Sequence, residues 1–364
     1  MDSRTRVYKA LKHNEPDRIP LDFEAREEVV QGLIGILGLR NREDLLSYFG
    51  IDFRQGGLLP GGEFLRRGAF FHPRRKWVIE VSPGIYEDEF GIRYRTDDKG
   101  RYFGFIAHPL ARDEDLSRFS FPDFEEEERY DALKKVVALF KSRFFIQGEA
   151  TSTLFELAWQ ISGYEHFLYK LYRDPAWAEK LLDEILALRL VQCTRYVEIG
   201  VDIVYLGDDF GMQDRMMVSP ELWRKYFKPR MRTLIETCKK ANPSVFIQYH
   251  SDGYIEPIIP DLIEIGVDIL NPVQPECMDV EKIKRCYGKV LTLHGTISVQ
   301  SLLPFSSREQ LKEELTRIVT ICAPGGGYIA APTHAIQTDV PLENIIFMYE
   351  FLKRWRYEQK DGMV

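Results

Sequence analysis

The chain has 364 residues, 45% hydrophobic and 13% aromatic, enough apolar material for one large domain or two small ones, which excludes a disordered or fibrous chain. Its 49 lysines and arginines against 56 acids give a net charge of -7 with no basic block, so nucleic acid is not an expected partner. No apolar run approaches the roughly 20 residues that cross a bilayer, and residues 1–21 lack the apolar stretch of a secretory signal, so no membrane partner is expected and the expected location is the cytoplasm.

In chain order, the first candidate strand is 19–23 (IPLDF) and a second is 51–53 (IDF). Residues 58–130 break the rhythm of the rest. Turn signals at Pro83-Gly84, Gly91 and Lys99-Gly100 punctuate residues 76–109, which reads as a small antiparallel insertion, and 113–129 is an acidic connection back. From there, short β-branched or aromatic runs alternate with helical stretches. The runs are 144–149 (FFIQGE), 203–208 (IVYLGD), 245–250 (VFIQYH), 269–273 (ILNPV), 290–294 (VLTLH) and 328–333 (YIAAPT). Continuous apolar runs suit parallel strands covered on both faces. Between them, Asp174-Pro175 and Ser219-Pro220 are N-caps with proline at the first helical position, and Ser307 with Gln310 forms a capping-box pair. The hexapeptide EIGVDI occurs twice, at 198–203 and 264–269, each time as helix end, glycine cap and strand start. Eight strands in this order predict an α/β fold, a (β/α)8 TIM barrel filling residues 1–364 as one domain, with a β-rich insertion at about 58–130.

In such a barrel the chemistry belongs at the C-terminal ends of the strands. Asp22 and Glu24 stand there, as do Gln147 and Glu149, Asp208 and Asp209, Asn271 and Gln274, and Gln337 beyond the last strand. Of seven histidines, His250, His294 and His334 all fall at ends of separate strands. Imidazole with carboxylate offers nitrogen and oxygen ligands for zinc, iron or manganese, and a catalytic zinc takes three protein ligands and keeps one position open. His250, His334 and one carboxylate fill that pattern; no HExxH helix is present. Glu149, Asp208 and Asp209 are the candidates to complete the ligand set or move a proton, with a loop cap or salt bridge as the plainer role of the aspartates. Asn271, Gln274, His294 and Gln337 are candidates to orient a substrate. The five cysteines form no CxxC pair and read as reduced, buried thiols.

Several segments together resemble the uroporphyrinogen decarboxylase superfamily across almost the whole chain: EPDRIP at 15–20, HSDG at 250–253, GVDILNP at 266–272, APGGGY at 323–328 and PLENI at 341–345. That superfamily holds metal-free tetrapyrrole decarboxylases and zinc-dependent methyltransferases that serve corrinoid proteins. The decarboxylases' MRQAGRY segment is absent; residues 23–29 read FEAREEV, with acids where a polycarboxylate wants arginines. The resemblance to the methyltransferase branch maps its His-x-Cys pair onto His250-Ser251-Asp252 and its later cysteine onto His334. The implied zinc ligands are His250, Asp252 and His334, a harder set than one rich in thiolate. Asp252 could equally orient His250, which leaves the third ligand open among Asp252, Glu149 and Asp208. The resemblance implies a zinc-dependent methyltransferase carrying a methyl group from a small methylated substrate, such as a methoxylated aromatic, to cobalamin on a separate corrinoid protein; no DxHxxG motif for a bound corrinoid occurs in this chain. The alternatives are a decarboxylase or lyase acting on another carboxylate substrate, and a non-catalytic barrel that binds a corrinoid or its carrier.

Overall fold

The structure, a computed structural model, describes residues 1–72, 76–96, 103–111 and 116–357. Its strands in chain order are β1 (Phe53–Gly56), β2 (Phe70–His72), β3 (Lys76–Ser82), β4 (Ile85–Glu87), β5 (Arg93–Thr96), β6 (Phe103–Ala107), β7 (Phe145–Thr151), β8 (Ile203–Gly207), β9 (Phe246–His250), β10 (Ile269–Asn271), β11 (Thr292–His294) and β12 (Tyr328–Ile329). β1 and β7 to β12 form one parallel seven-stranded sheet in sequence order. Its two edges meet through residues 20–22: the Asp22 N–H donates to Ala330 O and the Ala330 N–H to Pro20 O on one side, and the Asp52 N–H to Leu21 O on the other. The arrangement is that of a TIM-like barrel. The expected strand at 19–23 is therefore a single bridging stretch and not a regular strand. Pro20 has no N–H to donate to a ladder. The second expected strand begins where it was predicted to end and runs Phe53–Gly56.

The twice-used hexapeptide builds the same joint twice. Gly200 (φ 100°) and Gly266 (φ 98°) take the left-handed conformation that ends a helix. The next aspartate, Asp202 or Asp268, then exchanges two bonds with an isoleucine of the preceding strand. Ile146 N–H donates to the Asp202 carboxylate (2.9 Å) and Ile247 N–H to that of Asp268 (2.8 Å), while the aspartate N–H donates back to the isoleucine carbonyl. Each joint sets the register of one parallel pair. The predicted caps are present: Asp174 accepts from Trp177 N–H at the head of the Pro175–Ile199 helix, Ser219 caps Pro220–Tyr226, and Ser307 with Gln310 closes a capping box.

The insertion is a five-stranded antiparallel sheet, β2 to β6 in sequence order. Gly84 turns β3 into β4 at φ 70°; the predicted turn at Lys99-Gly100 lies outside the described residues. The sheet rests on the helix Phe155–Ser162. Phe105 meets the Trp159 ring edge-on at 5.1 Å, and the Leu110 N–H donates to Ile161 O. Among the described residues no helix is long and apolar enough to cross a membrane.

Candidate metal centre at the barrel mouth

Register assigns the inward-facing side chains. Phe53 pairs with Phe145, Ile203 with Phe246, and Ile269 with Gln248 and Thr292. Phe53, Phe145, Ile203, Phe246, Ile269 and Ile329 pack with Val7 and Leu11 of the first helix (Ser3–Leu11) into one buried cluster that plugs the N-terminal end of the barrel. Two residues further along β1, β7 and β9 the lining turns polar, with Gln55, Gln147 and Gln248. Glu149, Tyr205, His250, Asn271 and His294 follow at the C-terminal ends.

At the mouth a chain of hydrogen bonds crosses from strand to strand. Asp22 Oδ2 lies 3.0 Å from His294 Nε2, and His294 Nδ1 lies 2.6 Å from Asn271 Nδ2. Asn271 Oδ1 lies 2.6 Å from His250 Nδ1 and accepts from the Tyr205 hydroxyl at 2.9 Å. An amide nitrogen can only donate and an amide oxygen only accept. His294 Nδ1 is thus an acceptor and its Nε2 carries the proton toward Asp22. His250 Nδ1 carries its proton toward Asn271, which leaves Nε2 as the atom that faces the mouth. A histidine anchored at one nitrogen and open at the other is how proteins present imidazole to a metal ion.

His250 Nε2 meets two carboxylates, Asp209 Oδ1 at 3.5 Å and Asp252 Oδ1 at 3.8 Å. The loops after β8 and β9 hold them there. The Asp252 N–H donates to Asp209 Oδ1 (2.8 Å), and the Phe210 N–H donates to Ser251 Oγ. Gly211 packs so closely on the backbone of Asp252 to Tyr254 that a Cβ there would come within 2.3 Å of Asp252 O; only glycine admits that approach. Asp209, His250 and Asp252 each offer one ligand atom, all within 4.8 Å of one another. In a tetrahedral site with bonds near 2.0–2.1 Å, ligand atoms stand about 3.3 Å apart, so this nitrogen and oxygen set fits a divalent cation after small side-chain adjustments.

Charge is out of balance here. Burial opposes a charged His250, but Asp209 and Asp252 outweigh it and hold the imidazole up at about 9. Burial raises Asp252 above the usual carboxylate range, partly offset by His250. Glu156, at the head of the Phe155–Ser162 helix, is pushed up to about 8 by burial and then by Asp209 and Asp208. More carboxylate is gathered than one imidazole can neutralise, and a divalent cation would relieve that strain.

The structure separates the two neighbouring aspartates. Asp208 does not face the mouth: it is fully buried, and its carboxylate accepts from the N–H groups of Leu154 and Glu156 at 2.9–3.1 Å. It caps the Phe155–Ser162 helix, where unpaired N–H groups need an acceptor. Asp209, one residue on, instead meets the loop after β9, its Oδ1 accepting from Asp252 N–H. Asp208 is therefore corrected from a catalytic or ligand candidate to a capping residue, raised to about 7 by burial against those N–H bonds. Gln274 likewise holds the site's frame, its Oε1 accepting from Gly253 N–H. Asn271 and His294 sit inside the hydrogen-bonded chain. Glu149, in register with Tyr205, accepts from the Thr151 hydroxyl. His334 and Gln337 are exposed on the last loop, and His334 Nε2 is 4.0 Å from Asp252 Oδ2, outside the tight group. Tyr205 and Glu156 were not picked out from sequence. Tyr205 could have been, since it shares the inner face two residues before Gly207; Glu156 could not, because its helix reaches the site only through tertiary packing.

Residues 87–355 match the model of the uroporphyrinogen decarboxylase (URO-D) family. Curated relatives include a uroporphyrinogen decarboxylase from Pelodictyon phaeoclathratiforme, 23% identical over 258 residues, 68% of this chain and 71% of that one. Another, from Rickettsia rickettsii, is 23% identical over 246 residues, 66% and 68% of the two chains. Among solved structures, a methyltransferase from Methanosarcina mazei superposes with a TM-score of 0.69 at 17% identity, covering 97% of this chain and 98% of that one, a likeness of fold. The match spans the mouth residues from Glu149 to Gln337 and most of the barrel, and the chain belongs to the uroporphyrinogen decarboxylase family.

Proposed function

We propose that this member of the family is a metal-dependent methyltransferase, with zinc as its ion, that moves a methyl group from a small methylated donor to the Co(I) centre of a corrinoid on a separate cytoplasmic protein. The observation that carries this reading is the Asp209, His250 and Asp252 group, with His250 Nε2 turned outward by the Asn271 bond. Zinc held there would polarise the donor's oxygen as a Lewis acid. The chain's own residues do the rest. Asp209, His250 and Asp252 would hold the ion, each offering one ligand atom. Asn271, anchored through His294 to Asp22, keeps the His250 ring in one orientation. His334 stands on the rim, its Nε2 4.0 Å from Asp252 Oδ2. In the transfer, the methyl–oxygen bond breaks, Co(I) supplies the electron pair of the new cobalt–carbon bond, and the oxygen leaves with its own pair to take up a proton.

The relatives' printed names favour decarboxylation of a polycarboxylate. The composition of the mouth weighs against that substrate: Asp22, Glu149, Asp209 and Asp252 line it, and they repel carboxylates. Metal analysis of the purified protein, joined to a methyl-transfer assay with reduced cobalamin, tests the reading. About one zinc per chain and methylcobalamin formation are expected. A metal-free protein that releases carbon dioxide from uroporphyrinogen would overturn it.

A further inference from the structure

On the outer helical layer, a cavity of about 340 Å³ lies between the helix Arg308–Cys322 and the last helix, Leu342–Arg354. It shares no lining residue with the barrel-mouth cluster. One wall is aromatic. Phe347, Phe351 and Trp355 recur every four residues, so they present three half-buried rings in a row. The Phe347 and Phe351 centroids are 6.3 Å apart with their planes 34° from parallel, and Trp355 is held edge to face against the buried Tyr357 at 4.9 Å. The facing helix is basic. Arg308 stands over the Phe347 ring at 4.8 Å, and Lys312 follows one turn on. Arg354 adds a third cation from the aromatic side. Among the described residues one acid lines the cavity, Glu350, and both its oxygens are engaged. Oε1 accepts from the Tyr48 hydroxyl at 2.9 Å, and Oε2 lies 3.9 Å from Arg354.

The helix Arg308–Cys322 sorts its charges. Glu313 and Glu314 line a different groove, with Glu276 and Ser298, while Arg308 and Lys312 line this one. In a chain of net charge -7 the cavity is a local reversal of sign. Arg308 also lies in the first turn of its helix, capped by Ser307, where the peptide dipoles favour negative charge. These features narrow the ligand. A cation would face three like charges. An uncharged ring would stack, but the cations beside it would lose water and gain no partner. A bare inorganic anion would meet the cations and leave the rings wet. A planar ring carrying a phosphate uses both, ring against rings and phosphate oxygens on the guanidinium and ammonium groups. The volume is at the small end of ligand pockets, roughly 300–1,000 Å³, which admits one ring system and one anionic group.

We propose that this groove binds a planar aromatic phosphate of mononucleotide size, at a site separate from the barrel mouth. Nothing in the groove depends on methyl transfer. Calorimetric titration of the full-length protein with adenosine monophosphate, phenyl phosphate, adenosine and inorganic phosphate tests it. The better of the two aromatic phosphates is expected to bind at least about tenfold more tightly than adenosine or inorganic phosphate, and it tells whether the ring is a nucleobase or a simple arene. Arg308→Glu should weaken that ligand by at least about tenfold. The position is exposed and the first turn of a helix favours an acid, so the fold is expected to hold. Trp355→Ala should weaken it by about tenfold. His250→Ala, at the mouth, should leave the affinity unchanged. No binding of either aromatic phosphate, equal binding of adenosine or of inorganic phosphate, or an unchanged affinity in Arg308→Glu or Trp355→Ala would each overturn the proposal. Loss of binding in His250→Ala would place the ligand at the mouth and overturn it as well.

Discussion

The two ends of the barrel are built from the same strands and do opposite things. At the N-terminal end, six of the seven strands put a large apolar residue into one buried layer, and the first helix seals it with Val7 and Leu11. Four residues on, the same columns carry Glu149, Gly207 and His250. The lower layer gains from burial. The upper one crowds carboxylates around one imidazole, which costs stability unless a cation joins them. A site that spends stability for no packing gain is where function is to be sought.

The sharpest break between the ends is expected from His250→Ala. It removes the only nitrogen ligand of the cluster and should weaken zinc binding by about a thousandfold or more, read by metal analysis after dialysis, while the unfolding midpoint of the metal-free protein stays close to wild type. Full zinc occupancy would locate the metal elsewhere. Phe145→Ala should do the converse. Phe145 is 3% exposed and meets the rings of Phe53 and Phe246, so denaturant unfolding should show a loss of about 3–4 kcal/mol with zinc content per folded chain unchanged.

A pH series probes the charge imbalance. His250 is held at about 9, Glu156 at about 8 and Asp208 at about 7, each above its ordinary value. All three bind protons more strongly in the folded chain, so their contributions to stability fade as pH rises through these values. The metal-free protein should be less stable at pH 9 than at pH 6, by at least about 2 kcal/mol, and saturating zinc should flatten or reverse the slope. A metal-free protein that gains stability over that interval would show that the acids are not strained. The smallest effect is expected from Asp208→Ala. It should cost about 1–2 kcal/mol through the lost helix cap and leave zinc affinity within a fewfold of wild type. Loss of the metal in that variant would return Asp208 to the site and undo its separation from Asp209.

Much of this organisation was legible from residue order. The alternation of apolar runs with capped helices specified parallel strands, and the repeated EIGVDI marked joints that reappear with matching hydrogen bonds at Asp202 and Asp268. Polar residues at strand ends pointed to the mouth because in a parallel barrel every strand ends on the same side. Local pattern determines these things, since periodicity, caps and turn glycines act over a few residues. What sits opposite what was decided only by tertiary structure. Asp208 and Asp209 are adjacent and chemically identical. One went to a helix end, where Leu154 and Glu156 present N–H groups, and the other to His250 and the loop after β9. The bridging stretch at Leu21 and the orientation of His250 by Asn271 likewise depend on groups far apart in the chain, whose meeting is set by strand register and loop packing, and a single sequence carries no direct mark of either.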